Sequence, residues 1–350
     1  YARFFTKVLD DIDLLDGIRE PFTNLTNQGM VLGEDGHKMS KSRGNGVSPR
    51  RIIEEYGADT ARLFIMEAAQ PEKEFAWSPE GVQSAHGFLR SVHDLATAFA
   101  NGGIEAGETG TAAAYVKREI EATVAAATAE YDAFRFNHAV QSVRELVSLL
   151  GRYRRHTNPD PAVFERGIEA TAKLLAPVAP HVAEEVWEIL GHDGLIAEAD
   201  WPTGEAPESY DVERRLIENT REDVRDIVDV AGIDDPERIT IATAPAWKHD
   251  ALELVLDLDA DADVVGTVMQ DEELRRRGEA AADFAKDLAA EAQSLSGKLP
   301  PEREREALKR AAWLIEREFD VAVEVRSAEE ASDDLAGKAE PGRPGIEIEE

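Results

Sequence analysis

The chain has 350 residues, 43% hydrophobic and 31% charged, enough for two or three domains with cores of their own. Its 71 Asp and Glu against 39 Lys and Arg give a formal charge of −32, which argues against a simple nucleic-acid-coating or anionic-membrane protein, since both need a positive face. Recurrent Leu, Ile, Val, Phe and Trp exclude an acidic disordered chain, and zero cysteines exclude disulfides, thiolate zinc sites and cysteine catalysis.

In chain order, Phe4, Val8, Ile12 and Leu15 carry a helical spacing over residues 1–20, stopped by Pro21. Gly29 to Gly33 is a short strand-like run ending in the turn signal Glu34-Asp35-Gly36. A loop from His37 to Gly46 follows. Pro49 opens a helix over Arg50–Tyr56, Gly57 stops it, and Asp59 is expected to cap the next helix, Thr60–Ala69. Pro71 to Gly81, with Phe75 and Trp77, reads as irregular but packed.

From residue 82 the period is helical: Phe88, Val92, Leu95 and Phe99 lie on one face, and the Gly-rich stretch 101–111 ends that helix. Amphipathic helices are predicted at about 112–132, 136–155 and 161–176, then over His181–Leu190 after the break Pro177–Pro180. Together these predict a helical bundle. Beyond Trp201-Pro202 a helix at about 210–230 precedes strand candidates Ile239–Ala244 and Leu252–Leu258. A long acidic helix at 270–294, a helix at 301–318, and strands Val321–Arg326 and Ile346–Glu349 complete a small mixed α/β region.

Of the basic residues only 11 are Lys and 28 are Arg. Excess carboxylate with scarce Lys is the surface that stays hydrated in multimolar salt, where the Debye length is about 3 Å or less, so a halophilic cytoplasm is expected. No apolar run approaches the roughly 18 residues of a membrane span. The opening Tyr1-Ala2-Arg3-Phe4-Phe5 lacks an initiator Met and resembles neither signal nor transit peptide; the chain is expected to be part of a longer one.

The most specific stretch is Gly36-His37-Lys38-Met39-Ser40-Lys41-Ser42-Arg43-Gly44-Asn45. It places two ammonium groups three residues apart on a Gly-flanked loop, with hydroxyls between and after them. Such a loop can close over a polyphosphate, the lysines acting as point charges and the hydroxyls and backbone N–H groups as donors. By composition alone an exposed polar loop is the better reading, since two lysines in a loop prove nothing.

The order of residues adds more. Lys38-Met39-Ser40-Lys41-Ser42 is identical to the KMSKS motif of class I aminoacyl-tRNA synthetases. Gly29-Met30-Val31-Leu32, Arg43-Gly44-Asn45 and Tyr56 to Phe64 resemble the branch holding the leucyl, isoleucyl, valyl and methionyl enzymes. Pro71 to Ser78 and Leu175 to Trp187 look like the leucyl form and its anticodon-binding bundle. The stretch Thr243 to Lys248 and the closing Pro341 to Ile348 are similar to the archaeal leucyl type.

The resemblance implies a multidomain α/β plus α fold: residues 1–80 as the end of a Rossmann-like catalytic domain with its connecting segment, 81–200 as a helical-bundle anticodon-binding-type domain, and 201–350 as a small mixed α/β C-terminal domain. It implies ATP-dependent ligation of leucine to its tRNA through leucyl-adenylate, with ATP, Mg²⁺, leucine and tRNA(Leu) as partners. Lys38 and Lys41 would be catalytic. Met39, Ser40 and Ser42 would complete the ATP site, which Lys41 chiefly holds.

The first class I motif, HIGH, is missing, because none of the eight histidines forms an H-x-x-H or H-x-G-H. The leucine pocket and editing domain, upstream in the family, are absent too, so this chain alone is expected to be inactive. A valyl, isoleucyl or methionyl relative, or a non-catalytic RNA-binding or structural fragment, remain the alternative readings.

Elsewhere, Arg152-Tyr153-Arg154-Arg155-His156 is the best local basic cluster. Arg152, Arg154 and Arg155 are candidates for the tRNA backbone, with an ordinary basic helix end as the rival reading. His181 is expected to be structural, Glu184 and Glu185 to be first-turn acids, and Trp77 and Trp187 to be packing aromatics. Arg275-Arg276-Arg277 is expected to pair with Glu272, Glu273 and Glu279. No metal-ligand set is found.

Overall fold

A computed structural model describes residues 1–104, 110–155, 159–205, 210–233, 235–256, 258, 262–291 and 299–349. The first third holds helix α1 (Ala2–Asp11), strand β1 (Val31–Leu32), helices α2 (Pro49–Tyr56) and α3 (Ala58–Ala68), and strand β2 (Phe75–Ala76). Helix α1 is half the expected length, since the chain turns through Asp13 at φ 59° and Gly17 at φ 75°. The stretch read as irregular contains β2, which pairs parallel with β1, Val31 opposite Phe75 and Leu32 opposite Ala76. Two residues are too few for an alternation signal. Pro49 starts α2 as expected, and Gly57, at φ 89°, separates α2 from α3.

Long helices follow where the 3.6-residue period places them: α4 (Pro79–Ala100), α5 (Thr111–Asp132), α6 (Phe136–Tyr153), α7 (Pro161–Leu175) and α8 (Pro180–Ile189). After a 3₁₀ turn at Ile196–Glu198 come α9 (Tyr210–Ala231), strand β3 (Arg238–Ala242) and α10 (Ala246–Leu256). The last third has α11 (Val264–Gln270), α12 (Glu272–Arg275), α13 (Glu279–Glu291), α14 (Pro301–Phe319), strand β4 (Ala322–Arg326), α15 (Asp333–Lys338) and strand β5 (Gly345–Glu349).

Several expectations are corrected. Leu252–Leu256 of the strand expected at Leu252–Leu258 are the end of helix α10, Leu258 is a bend beyond it, and residue 257 lies outside the described residues. Leu252 and Leu254 alternate with Glu253, which imitates a strand. The buried set is instead Lys248, His249, Ala251, Leu252 and Val255, a helical spacing. The long acidic helix expected at 270–294 is two helices, α12 and α13, with Gln270 the last residue of α11. Asp271 accepts hydrogen bonds from the N–H groups of Glu273 and Leu274 and so caps α12, and Gly278, at φ 64°, parts α12 from α13. Residues 292–294 of that expectation, and 105–109 of the Gly-rich stretch, lie outside the described residues. Helix α15 was not foreseen.

The chain forms two compact units. The first comprises residues 1–94, 126–145 and 172–200, and the second 95–125, 146–171 and 201–350. In the first, Phe64 anchors an aromatic group, its ring centroid 4.8 Å from Trp77 and 6.0 Å from Phe75. Arg62 ties α3 to the α7–α8 connection by donating to the carbonyls of Val178 (2.8 Å) and Pro177 (2.9 Å). In the second, Gly167 of α7 packs so near Leu150 and Ile120 that a Cβ there would lie 2.6 Å from a Leu150 methyl. Its three-stranded sheet has the order β4-β3-β5, parallel between β3 and β4 and antiparallel between β3 and β5. The buried side chains of Ile239 and Ile241 form the core of its central strand. Among the described residues no helix is long and apolar enough to cross a membrane.

Candidate phosphate-binding loop

The loop grows out of strand β1. Gly33 donates its N–H to the carbonyl of His37 at 2.8 Å, Gly36 donates back to Gly33 at 2.9 Å, and Lys38 forms an antiparallel bridge with Leu32. The turn therefore returns Lys38 beside the strand it left. Gly36, at φ 71°, supplies the left-handed residue the turn requires. Gly33 is needed for space: a Cβ there would lie 2.8 Å from Asp35 Oδ1 and 2.9 Å from Asn45 Nδ2.

Asn45 fastens the loop at its base. Its Nδ2 donates to Asp35 Oδ1 at 3.0 Å and to Oδ2 at 3.2 Å, while its Oδ1 accepts from the N–H of Ser40 at 2.9 Å. The Asn45 amide, and then the N–H of His37, hold the Asp35 carboxyl below the usual carboxylate range. Above this base, Gly44 donates to the carbonyl of Ser40, Arg43 N–H donates to Ser40 Oγ at 3.3 Å, and the hydroxyls of Ser40 and Ser42 lie 3.2 Å apart.

Lys38, Lys41, Ser42 and Arg43 are exposed, and Met39 and Ser40 are half-buried. None of the three cations makes an ion pair among the described residues, although the chain has almost two carboxylates per cation. Three cations without ion pairs among the described residues, held on a fastened loop, have the chemistry that suits an anion. The sequence marks Asp35 as a turn residue but not its bond to Asn45, for which the two Asx residues beside Gly36 and Gly44 are the signal.

The other candidates lie elsewhere. Arg154 and Arg155 are exposed, Arg152 is half-buried, and His156 is outside the described residues. His181 is exposed and bonds to Asp59, and the roles expected of its neighbours are corrected. Asp59 does not cap its own helix, whose cap is Gly57 without a side-chain bond. It is buried and accepts from His181 Nδ1 at 2.8 Å and from the N–H of Val182 at 2.7 Å. Glu184 and Glu185 lie beyond the first turn of α8, and Glu184 accepts from the N–H groups of Ile196 and Ala197.

Trp77 packs on Phe64, and Trp187 is buried against His192 at 3.7 Å between ring centroids. Arg276 pairs with Glu272 at 2.7 Å, whereas Arg277 lies over the Trp247 ring at 5.6 Å. Among the described residues no group of three His, Asp or Glu could hold a metal ion.

Residues 8–78 match the family described as tRNA synthetases class I (I, L, M and V), and residues 113–241 match the anticodon-binding domain of tRNA ligase. A leucine–tRNA ligase from Halobacterium salinarum is 55% identical over 351 aligned residues, covering 100% of this chain and 39% of the relative. One from Geotalea daltonii is 36% identical over 79% of this chain and 31% of its own length. A solved LeuRS–tRNA–LeuAMS ternary complex from Agrobacterium radiobacter aligns with TM-score 0.53 and 25% identity over 80% of this chain and 33% of that one. The chain thus spans about two fifths or less of the length of the relatives it matches.

Proposed function

The chain belongs to the leucine–tRNA ligase branch of the class I tRNA synthetases, and from that membership we propose that it supplies the ATP-phosphate loop and much of the tRNA-holding surface of an enzyme that joins leucine to its tRNA. The single observation carrying the chemistry is the pair of unpaired ammonium groups, Lys38 and Lys41, on a loop fastened at its base by Asn45.

In the proposed reaction a leucine carboxylate oxygen bonds to the α-phosphorus of ATP while the bond from that phosphorus to the β-phosphate bridge breaks. Pyrophosphate leaves with the electron pair. Lys41 meets the charge that builds on the departing phosphates, Lys38 supports it, and the Ser40 and Ser42 hydroxyls donate to phosphate oxygens. Such groups act most strongly where charge develops, which lowers the barrier rather than merely tightening ATP. Residues 38–42 offer ammonium and hydroxyl groups but no carboxylate, so they suit phosphate; a Mg²⁺ here would ride on the nucleotide and neutralise its oxygens.

Residues 1–80 are assigned to the end of the Rossmann-like catalytic domain, 81–200 to the tRNA-binding helical bundle, and 201–350 to the C-terminal α/β domain that grips tRNA(Leu). Arg152, Arg154 and Arg155 are assigned to the tRNA backbone. A cytoplasmic, salt-rich setting suits the −32 charge. A chimera in which this chain replaces the matching stretch of the H. salinarum leucine–tRNA ligase tests the reading: it should charge tRNA(Leu) with leucine, and a folded chimera that charges nothing would refute it.

A further inference from the structure

Arginines of the second unit gather on shared carboxylates. Arg118, Arg303 and Arg310 all pair with buried Glu213, and a second group forms around Glu318. Arg221 and Arg225 of α9 share a single carboxylate, Glu318 of α14: Arg221 Nη2 donates to Oε2 at 2.8 Å, and Arg225 donates to both oxygens, at 2.9 Å from its Nη2. Arg152, at the end of α6, lies within their field and makes no ion pair among the described residues. Burial first, and then the charge of Arg221, pull its guanidinium below the usual arginine range.

Of these three guanidinium groups two bond to one carboxylate and the third bonds to none among the described residues. Burial pushes the Glu318 carboxyl up, but the hydrogen bonds from Arg225 and Arg221 outweigh it and the group falls below the usual carboxylate range. Glu222 and Asp226 act on Arg225 from the same helix without bonding to it. The neighbouring Arg214 is already taken by Glu119, at 2.6 and 3.1 Å. Two donors are left over: Nε of Arg152 and Nε of Arg221 are both buried with no hydrogen-bond partner. Buried guanidinium N–H groups are costly to leave unsatisfied. The cluster nevertheless keeps an open edge, because the Arg225 side chain is 42% exposed and Arg154 and Arg155 follow Arg152 on the surface.

We propose that Arg152, Arg221 and Arg225 form a phosphate-binding cluster that takes a backbone phosphodiester of bound tRNA. A phosphate supplies acceptor oxygens in the fork geometry that guanidinium groups match, and it offers acceptors to the Nε donors that Glu318 leaves over. The proposal rests on the tRNA-binding reading above and adds two arginines that the sequence hid. In Arg221-Glu222 and Glu222-Asp223-Val224-Arg225-Asp226, adjacent acids make the segment read as a neutral helix face.

The test uses the whole 350-residue chain at fixed KCl, with two ligands: tRNA(Leu) in filter binding, and inorganic phosphate followed by the ¹⁵N resonances of arginine Nε. Arg225→Gln should weaken tRNA binding roughly tenfold. Glu318→Gln should strengthen it several-fold by freeing both guanidinium groups, whereas a purely structural role for the cluster makes Glu318→Gln neutral or harmful. Saturable movement of the Arg152 and Arg221 Nε resonances with millimolar phosphate is expected in the unmodified chain, which settles the matter should a variant fail to fold. Binding of tRNA that both variants leave within twofold, with no Nε movement, overturns the cluster and leaves the tRNA reading intact. Phosphate movement without tRNA binding removes the tRNA reading and leaves a phosphate site, and silence in both arms removes both.

Discussion

Asp59 caps a helix that lies more than a hundred residues further along the chain. Its carboxylate accepts the N–H of Val182 at 2.7 Å, in the first turn of α8, and His181 Nδ1 at 2.8 Å. A buried carboxylate at a helix N-terminus satisfies an orphan donor and meets the positive end of the helix dipole. With Arg62 holding the carbonyls of Pro177 and Val178, helix α3 is tied to the Leu175–Trp187 segment at two points.

Removing that cap should be expensive. Asp59→Ala is expected to cost about 2 kcal/mol, the sum of a lost N-cap and a charged hydrogen bond. His181→Gln should cost less than about 1 kcal/mol, because the His181 side chain is 79% exposed. Urea unfolding in KCl compares the two variants. Equal losses would show that the bond to Val182 is not the one that matters.

Asn45 should govern the order of the phosphate loop without governing the fold. Asn45→Ala frees Asp35 and the N–H of Ser40 together, so limited trypsin cleavage after Lys38, Lys41 or Arg43 should quicken roughly fivefold or more. The unfolding midpoint should hardly move. Cleavage at an unchanged rate would mean the loop is held elsewhere.

The loop base should resist acid until the pH is low. The Asp35 carboxyl is depressed in the folded chain, so its contribution is complete above the unfolded value of about 3.9 and is lost as the pH falls through the lower folded value. The Asn45 side-chain amide resonances should stay constant from pH 7 to 5 and move only below about pH 4. A titration midpoint at or above that value would contradict the contact.

The 3.6-residue period made α4 to α9 readable in the sequence, because each buries one continuous stripe such as Phe88, Leu89, Val92 and Leu95. The five residues from Lys38 to Ser42 were readable because their identity is local and contiguous. What was hidden depends on partners distant in sequence. Asp59 looked like a cap for its own helix since nothing nearby announces Val182. Leu252 and Leu254 imitated a strand because two periods fit four residues equally well. Arg221 and Arg225 were masked by the acids beside them, and only the approach of α14 brings Glu318 to both.

Salt should act on RNA binding in an unusual direction. With a net charge of −32, repulsion between the chain and tRNA dominates in dilute buffer and is screened as KCl rises. Affinity for tRNA(Leu) is therefore expected to be weak at low salt and to hold or improve toward molar KCl. Filter binding across a KCl series, with folding followed by circular dichroism, measures this; affinity that falls steadily while the protein stays folded would contradict the halophilic reading.

The chain alone should be silent in leucine-dependent exchange of pyrophosphate into ATP, since orientation of both substrates supplies much of the barrier reduction and this chain contains no HIGH motif. The decisive measurement is that exchange in the H. salinarum chimera, with Lys41 intact and with Lys41→Ala. If Lys41 meets the charge on the departing phosphates, the substitution should lower the exchange rate by roughly 10²–10³ while changing the KM for leucine much less. An exchange rate that Lys41→Ala leaves unchanged would remove the loop from the chemistry and contradict the account.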